Sequence, residues 1–273
     1  MGRNRGRDSL AGDHGTRGRV MQEPSGPARG QSLVMVSQSE GVVQLSLNRP
    51  EKRNALSLAL VDQLRQTLER LRHQPAVLLL TSSTPGMFIA GADIAELGER
   101  GEEEAFRAFN VELFDALARW RWPSIAAIDG PAFGGGLECA LACDLRVASP
   151  KARFAQPELG LGILAGAGGN WRLPGLVGVG IARKMLYLGE VIDAAGALSS
   201  GLVDEVCDDP VLCARKWAET IRTKPWRALE ITKLALGAGG RSSTGLIDTL
   251  GQAILFESEE KQARMQAFLD RRH

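Results

Sequence analysis

Two short apolar runs constrain this chain more than any other feature. PAVLLLTSS (75–83) and WPSIAAIDG (122–130) are each bounded by Pro and by Ser or Gly. Unbroken apolar runs of this length between chain-breaking residues predict strands buried on both faces, as in a parallel sheet. Helical periodicity lies between and around them. The leucines of SLALVDQLRQTLERLRHQ (57–74) recur at intervals of three and four, and Phe106, Phe109, Leu113, Leu117 and Trp120 share one face of a second helix over 102–120. Upstream, SLVMVSQ (32–38) and GVVQLSLN (41–48) read as a hairpin, joined to the first helix by the Pro-containing NRPEKRNAL (48–56). Downstream, a Gly-rich turn opens the small-residue helix of GPAFGGGLECALACD (130–144), and DLRVASP (144–150) reads as a strand. Strand, helix, strand, turn, helix, strand is the rhythm of an α/β fold with crossovers. The segment 151–178 is loop-rich, with a helix expected from Gly180 to Leu188. From about Ala194 onward only helical patterns appear, at 209–224, 226–237, 243–256 and 258–271, apart from a brief LVDEV (202–206). Residues 1–32 are rich in Gly and Arg and hold too few apolar side chains to fold, so disorder is expected there. The implied organisation is a tail (1–32), an α/β core (33–195) and a helical C-terminal part (196–273).

Composition excludes several functions. The 273 residues carry a formal charge of +1, and 44% are hydrophobic, enough for one large domain. Six Arg against Asp8, Asp13 and Glu23 give the tail +3, leaving the remainder at −2, so no basic stripe suits nucleic acid. No apolar run is long enough to predict a transmembrane helix, and the N-terminus has no apolar secretory core; a cytoplasmic protein is expected. Cys139 and Cys143 fall on one helical face and are expected to be buried reduced thiols, and no CxxC pattern suggests a zinc site or a staple. His14, His73 and His273 are the sole histidines, and no G-x-S-x-G elbow exists, so a Ser-His-Asp triad finds no place. Neither a P-loop nor a dinucleotide fingerprint is present. Acid–base chemistry therefore falls to carboxylates.

Two Gly-rich segments follow apolar strands: Ala90-Gly91-Ala92-Asp93-Ile94, and Gly134-Gly135-Gly136 at the start of a helix. Small residues let a ligand approach the backbone, and a helix start presents unpaired N–H groups. Two such segments can aim two donors at one oxygen, the composition of an oxyanion hole, or can simply make tight turns. Glu138 interrupts the apolar helix LECALAC, and Glu158 follows Pro157 in FAQPELGLG. A carboxylate among apolar residues is costly unless it is used or paired.

AGADI, GPAFGGGLECALACDLRVAS and FAQPELGLGILAGAGGNWRLPGLVG, with NRPEKRNAL, GLVDEV and FESEEKQARMQAFLDRR, resemble the crotonase (enoyl-CoA hydratase/isomerase) superfamily over about Val34 to Arg272. The resemblance implies a crotonase-like spiral of ββα units with a helical C-terminal trimerisation domain, assembled as a trimer or dimer of trimers. It implies reversible syn addition of water to trans-2-enoyl-CoA. The N–H groups of Ala92 and Gly135 would bind the thioester oxygen, and Glu138 and Glu158 would act as base and acid. Ala55, Ala90, Gly91, Asp93, Ile94, Gly134, Pro157 and Gly166 would line the substrate and CoA site. CoA arrives with the acyl-CoA substrate, so neither a separate cofactor nor a metal is expected. Relatives that use the same glutamates to make 2-enoyl fatty acids from 3-hydroxyacyl thioesters are the main alternative; isomerases and RNA-binding homologues come after. The chain departs from the hydratase pattern at Leu164-Ala165, at Asn170-Trp171, at Trp120 and Trp122, and at its C-terminus, where Arg271 and Arg272 are candidates for adenine-end contacts.

Overall fold

The computed structural model describes residues 32–99 and 109–238, with the isolated positions 254, 258, 259, 263 and 270. Residues 1–31 of the expected tail, Phe106, Arg271 and Arg272 lie outside these residues, as do the expected helices 243–256 and 258–271 apart from those isolated positions.

The hairpin forms as expected. Strand β1 (Val34–Ser39) pairs antiparallel with β2 (Val42–Leu47), and Gly41 takes the turn at φ 69°. NRPEKRNAL becomes a 3₁₀ turn (Pro50–Lys52) ending in two left-handed residues, Arg53 and Asn54. Asn54 is fully buried and justifies its conformation with three hydrogen bonds. It accepts from the Arg49 N–H and donates to Ser82 Oγ and to the Phe88 carbonyl. Helix α1 (Leu58–Leu71) starts at Ser57, whose Oγ accepts the Leu60 N–H.

The two apolar runs become β3 (Val77–Ser82) and β4 (Ser124–Ile128). Between them lie α2 (Ile94–Glu99) and α3 (Phe109–Ala118). After β4 come a short strand β5 (Pro131–Phe133), α4 (Gly135–Leu141) and β6 (Leu145–Ala148). The main sheet has the order β1-β2-β3-β4-β6-β9, parallel from β2 onward, with β9 at Glu205–Val206. Alternate residues of its inner strands serve two different cores. Leu78, Leu80, Ala126, Ile128 and Ala148 join α1, α3 and α4 on one face, whereas Val77, Leu79, Ile125, Ala127 and Val147 meet Ala214 and Ala218 on the other. That double burial is why the runs lack polar alternation.

A second sheet, β5-β7-β8, uses β7 (Arg153–Ala155) and β8 (Ile192–Asp193). β5 and β7 fall in segments that read as turn and loop in the sequence, since three residues are too few to display a period. Helix α5 (Gly169–Leu188) starts well before the expected Gly180. Its glycines and Pro174 suggested irregular chain, but the break is confined to Gly178 (φ 75°, ψ 157°), with helix on both sides. Then α6 (Ala194–Ser199) leads to β9, and α7 (Pro210–Arg222) and α8 (Trp226–Gly237) match the expected helices closely. Because β9 completes the main sheet and α7 covers it, the α/β layer extends past the expected boundary at 195. Cys139 and Cys143 are free and buried, as expected; Cys207 and Cys213, for which no staple was expected, are paired across the entry to α7.

Candidate active site

The first Gly-rich segment is held to the chain before α1 by a parallel bridge between Leu56 and Ala92. Leu56 donates its N–H to the Gly91 carbonyl at 2.9 Å, and Asp93 donates to the Leu56 carbonyl at 3.0 Å. In a parallel bridge the residue between two such bonds turns its own N–H to the opposite side. The Ala92 N–H therefore faces away from Leu56. The start of α4 abuts this segment: Phe133 donates to the Ile89 carbonyl, and a Cβ on Gly136 would stand 2.1 Å from that same oxygen. Only glycine allows so close an approach. Gly135 is the first residue of α4, so its N–H has no acceptor within the helix. Gly134 precedes it at φ 52°, ψ −125°. Ala92 and Gly135 thus sit on adjoining segments.

Glu138 lies one turn into α4 and is 3% exposed. Its Oε1 accepts the backbone N–H groups of Ala167 (2.8 Å) and Gly169 (2.9 Å), from the turn that opens α5. Burial pushes its pKa above the usual carboxylate value, while these N–H groups, the Arg172 charge and the Gly168 N–H pull it back. Glu158 begins a 3₁₀ turn (Glu158–Leu161) and is 9% exposed. Burial raises it to about 7, its own backbone N–H opposes that rise, and the charge of Glu138 adds to it. With its side-chain amide oriented to satisfy its neighbours, buried Gln156 donates its nitrogen to both Glu158 oxygens, at 2.9 and 3.0 Å.

Of the other expected residues, Ala55, Ala90 and Gly91 are half-buried beside Ala92, and Ile94 is exposed at the start of α2. Asp93 is committed locally: it pairs with Arg49 at 2.8 Å and accepts the Ala95 N–H. Pro157 stands at the head of the 3₁₀ turn and Gly134 beneath Glu158, while Gly166 lies in the loop just before the Ala167 donor. Sequence reasoning missed Ala167, Gly169, Gln156 and Arg172. It also missed Asn110, whose Nδ2 would lie 3.9 Å from a Cβ on Gly135 and whose buried Oδ1 has no hydrogen-bond partner among the described residues. The clue to Gly169 was the GAGG run, where a Cβ would meet the Gln156 side-chain amide at 2.9 Å.

Comparison with known proteins shows the family and the fold. Residues 37–273 match the family described as Enoyl-CoA hydratase/isomerase. The chain is 36% identical over 250 residues to a crotonyl-CoA hydratase of Syntrophomonas wolfei, covering 88% of this chain and 95% of that one. It is 35% identical over 254 residues to a short-chain-enoyl-CoA hydratase of Clostridium acetobutylicum, covering 87% and 95%. The crystal structure of an enoyl-CoA hydratase from Bacillus anthracis superposes with a TM-score of 0.84 at 33% identity, over 88% of this chain and 97% of the other.

Proposed function

The chain belongs to the enoyl-CoA hydratase/isomerase family and is an enzyme of the hydro-lyase type, and we propose that Glu138 and Glu158 hydrate a trans-2-enoyl-CoA as a base and acid pair. The thioester oxygen sits between the N–H groups of Ala92 and Gly135. These stabilise the enolate charge that develops on it, each worth about 3 kcal/mol where such donors have been removed. Glu138, as carboxylate, takes a proton from the water whose oxygen bonds to C3. Glu158, as carboxylic acid, gives its proton to C2. Addition from one side of the substrate is syn, and dehydration runs the same steps backwards. One observation carries this reading: two buried glutamates that feel one another's charge, Glu138 held in place by the Ala167 and Gly169 N–H groups, and Glu158 raised by burial and by the Glu138 charge to about 7, so that it keeps a proton near neutrality.

The substrate brings its own CoA, and the proposal needs neither a separate cofactor nor a metal. Self-association as a trimer or dimer of trimers is part of it. Leu161, Leu164, Trp171, Tyr187 and Leu188 are exposed along the 3₁₀ turn and α5, more apolar surface than an isolated chain favours. No helix among the described residues is long and apolar enough to cross a membrane. A cytoplasmic location suits a CoA-bound substrate.

The test follows the loss of enoyl-thioester absorbance with crotonyl-CoA and with a long-chain 2-enoyl-CoA. Wild-type protein should consume at least one, and Glu138→Ala or Glu158→Ala should each lower kcat by about 10²–10⁴-fold. A folded wild-type protein that consumes neither would refute the hydratase reading.

A further inference from the structure

The turn Ala167–Gly169 that holds Glu138 is itself held from behind. Arg172, one turn into α5, donates from Nη1 to the Ala167 carbonyl at 3.1 Å and from Nη2 to Asp115 Oδ1 of α3 at 2.8 Å. Its guanidinium lies so close under Gly168 that a Cβ there would stand 2.3 Å from Nη1, and Gly168 at φ 139° is in a region that side chains avoid. The Arg172 side chain is only 15% exposed. The residue whose carbonyl Arg172 grips is thus the one whose N–H grips Glu138.

We propose that Arg172 and Asp115 are positioning residues for the acid–base pair, forming a strut from α3 through the guanidinium to the Ala167–Gly169 turn that fixes the place and the charge of Glu138. The inference rests on the hydratase reading for its catalytic consequence, but not for its structural one. A guanidinium suits the role because its planar fork meets a carboxylate and a carbonyl at once, which a lysine ammonium does not do with the same rigidity. Among the described residues, the charged and titratable groups around Glu138 are Arg172 from α5, Glu158 from the 3₁₀ turn and Cys139 beside it on α4; behind Arg172 stand Asp115 and Arg119, themselves paired at 3.3 Å. Arg172 is the cation that favours the Glu138 carboxylate. Its removal takes away that charge and frees the turn whose N–H groups stabilise the same carboxylate, so both effects push the titration of Glu138 upward.

The experiment compares wild type, Arg172→Gln, Arg172→Lys and Asp115→Asn by two independent readouts. One is the pH dependence of kcat and KM for crotonyl-CoA. The other is an infrared titration of Glu138 in protein labelled with ¹³C-glutamate, assigned by difference against Glu138→Gln. In Arg172→Gln the titration of Glu138 and the acid limb of kcat/KM move up together. At the pH optimum kcat falls on the order of 10²-fold, as for a reacting group displaced by about 1 Å, with KM little changed. Arg172→Lys returns the acid limb toward wild type while kcat stays low, separating charge from placement. Asp115→Asn moves both readouts the same way by less, and decides the matter if Arg172→Gln does not fold. A folded Arg172→Gln, or failing that Asp115→Asn, with an unchanged Glu138 titration overturns the proposal. If the wild-type protein hydrates no enoyl-CoA, the hydratase reading fails and the infrared titration alone decides this one.

Discussion

Gly134 lies directly beneath Glu158: a Cβ built on it would stand 2.9 Å from Oε1 of the carboxylate. The same residue holds φ 52° and ψ −125°, a conformation left to glycine, so it serves the site in two ways. It turns the chain so that the Gly135 N–H leads α4, and it leaves room for the acid. Gly134→Ala should therefore cost about 1–3 kcal/mol of stability through backbone strain. It should also push the Glu158 carboxyl aside, lowering kcat for crotonyl-CoA hydration on the order of 10²-fold. Melting temperature and kcat measured on one preparation check both parts.

The two glutamates make a specific prediction about pH. In the proposed mechanism hydration needs Glu138 charged and Glu158 protonated, and dehydration needs the reverse. Both arrangements belong to the singly protonated pair, so kcat/KM in the two directions should follow one profile. Since Glu158 is held to about 7, that profile should fall above about pH 7 as the shared proton is lost, approaching tenfold per unit. Profiles that peak at different pH in the two directions would show that the glutamates do not share one proton.

The parts of this molecule that were legible in the sequence are those whose cause is local. Val77–Ser82 and Ser124–Ile128 are apolar throughout because they are buried on both faces, and that shows in any short window. Glu138 stood out because a carboxylate in an apolar helix is costly. What holds Glu138 was hidden, because its donors come from Ala167 and Gly169, 29 and 31 residues further along the chain. Strands as short as Ile192–Asp193 exist only because a partner strand is already there. The start of α5 was obscured by glycines whose reasons are tertiary. Gly168 leaves room for Arg172 and Gly169 for Gln156, and only Gly178 breaks the helix.

Glu158 should reduce stability at alkaline pH. Its folded pKa, about 7, lies above the ordinary carboxylate value of 4.5, so between those values the folded state binds more protons than the unfolded one. Stability then falls as pH rises across that window. Glu158→Gln removes the titration while keeping the shape, and should raise the melting temperature at pH 8 more than at pH 4.5. Each kcal/mol regained corresponds to roughly 2–4 °C. Calorimetry of both proteins at the two pH values measures the difference, and an equal effect at both would mean that Glu158 titrates normally.

Arg49 and Asp93 should behave in the opposite sense. Their side chains are 13% and 8% exposed and meet at 2.8 Å, and Arg49 also donates to the Ala55 carbonyl at 2.9 Å. Burial works to raise the Asp93 pKa, but the hydrogen bond and charge of Arg49 prevail and hold it below the usual value. The stability this gives is present above the unfolded carboxylate pKa and is lost as pH falls through the lower folded one. Asp93→Ala leaves the largely buried Arg49 guanidinium with only exposed Glu51, at 3.9 Å, as a counter-charge, which costs about 3 kcal/mol at the low end for buried pairs. Through Arg49 the Asp93 side chain is tied to the Ala55 carbonyl, next to the Leu56–Ala92 bridge, so under the proposed mechanism, in which the Ala92 N–H meets the thioester oxygen, kcat should fall with stability. The double variant Arg49→Met, Asp93→Leu removes both charges. It should recover most of the stability in urea titrations, because the cost lies in the unpaired charge rather than in the lost pair. A double variant as unstable as Asp93→Ala alone would instead place the contribution in the geometry that Arg49 imposes on the Ala55 carbonyl.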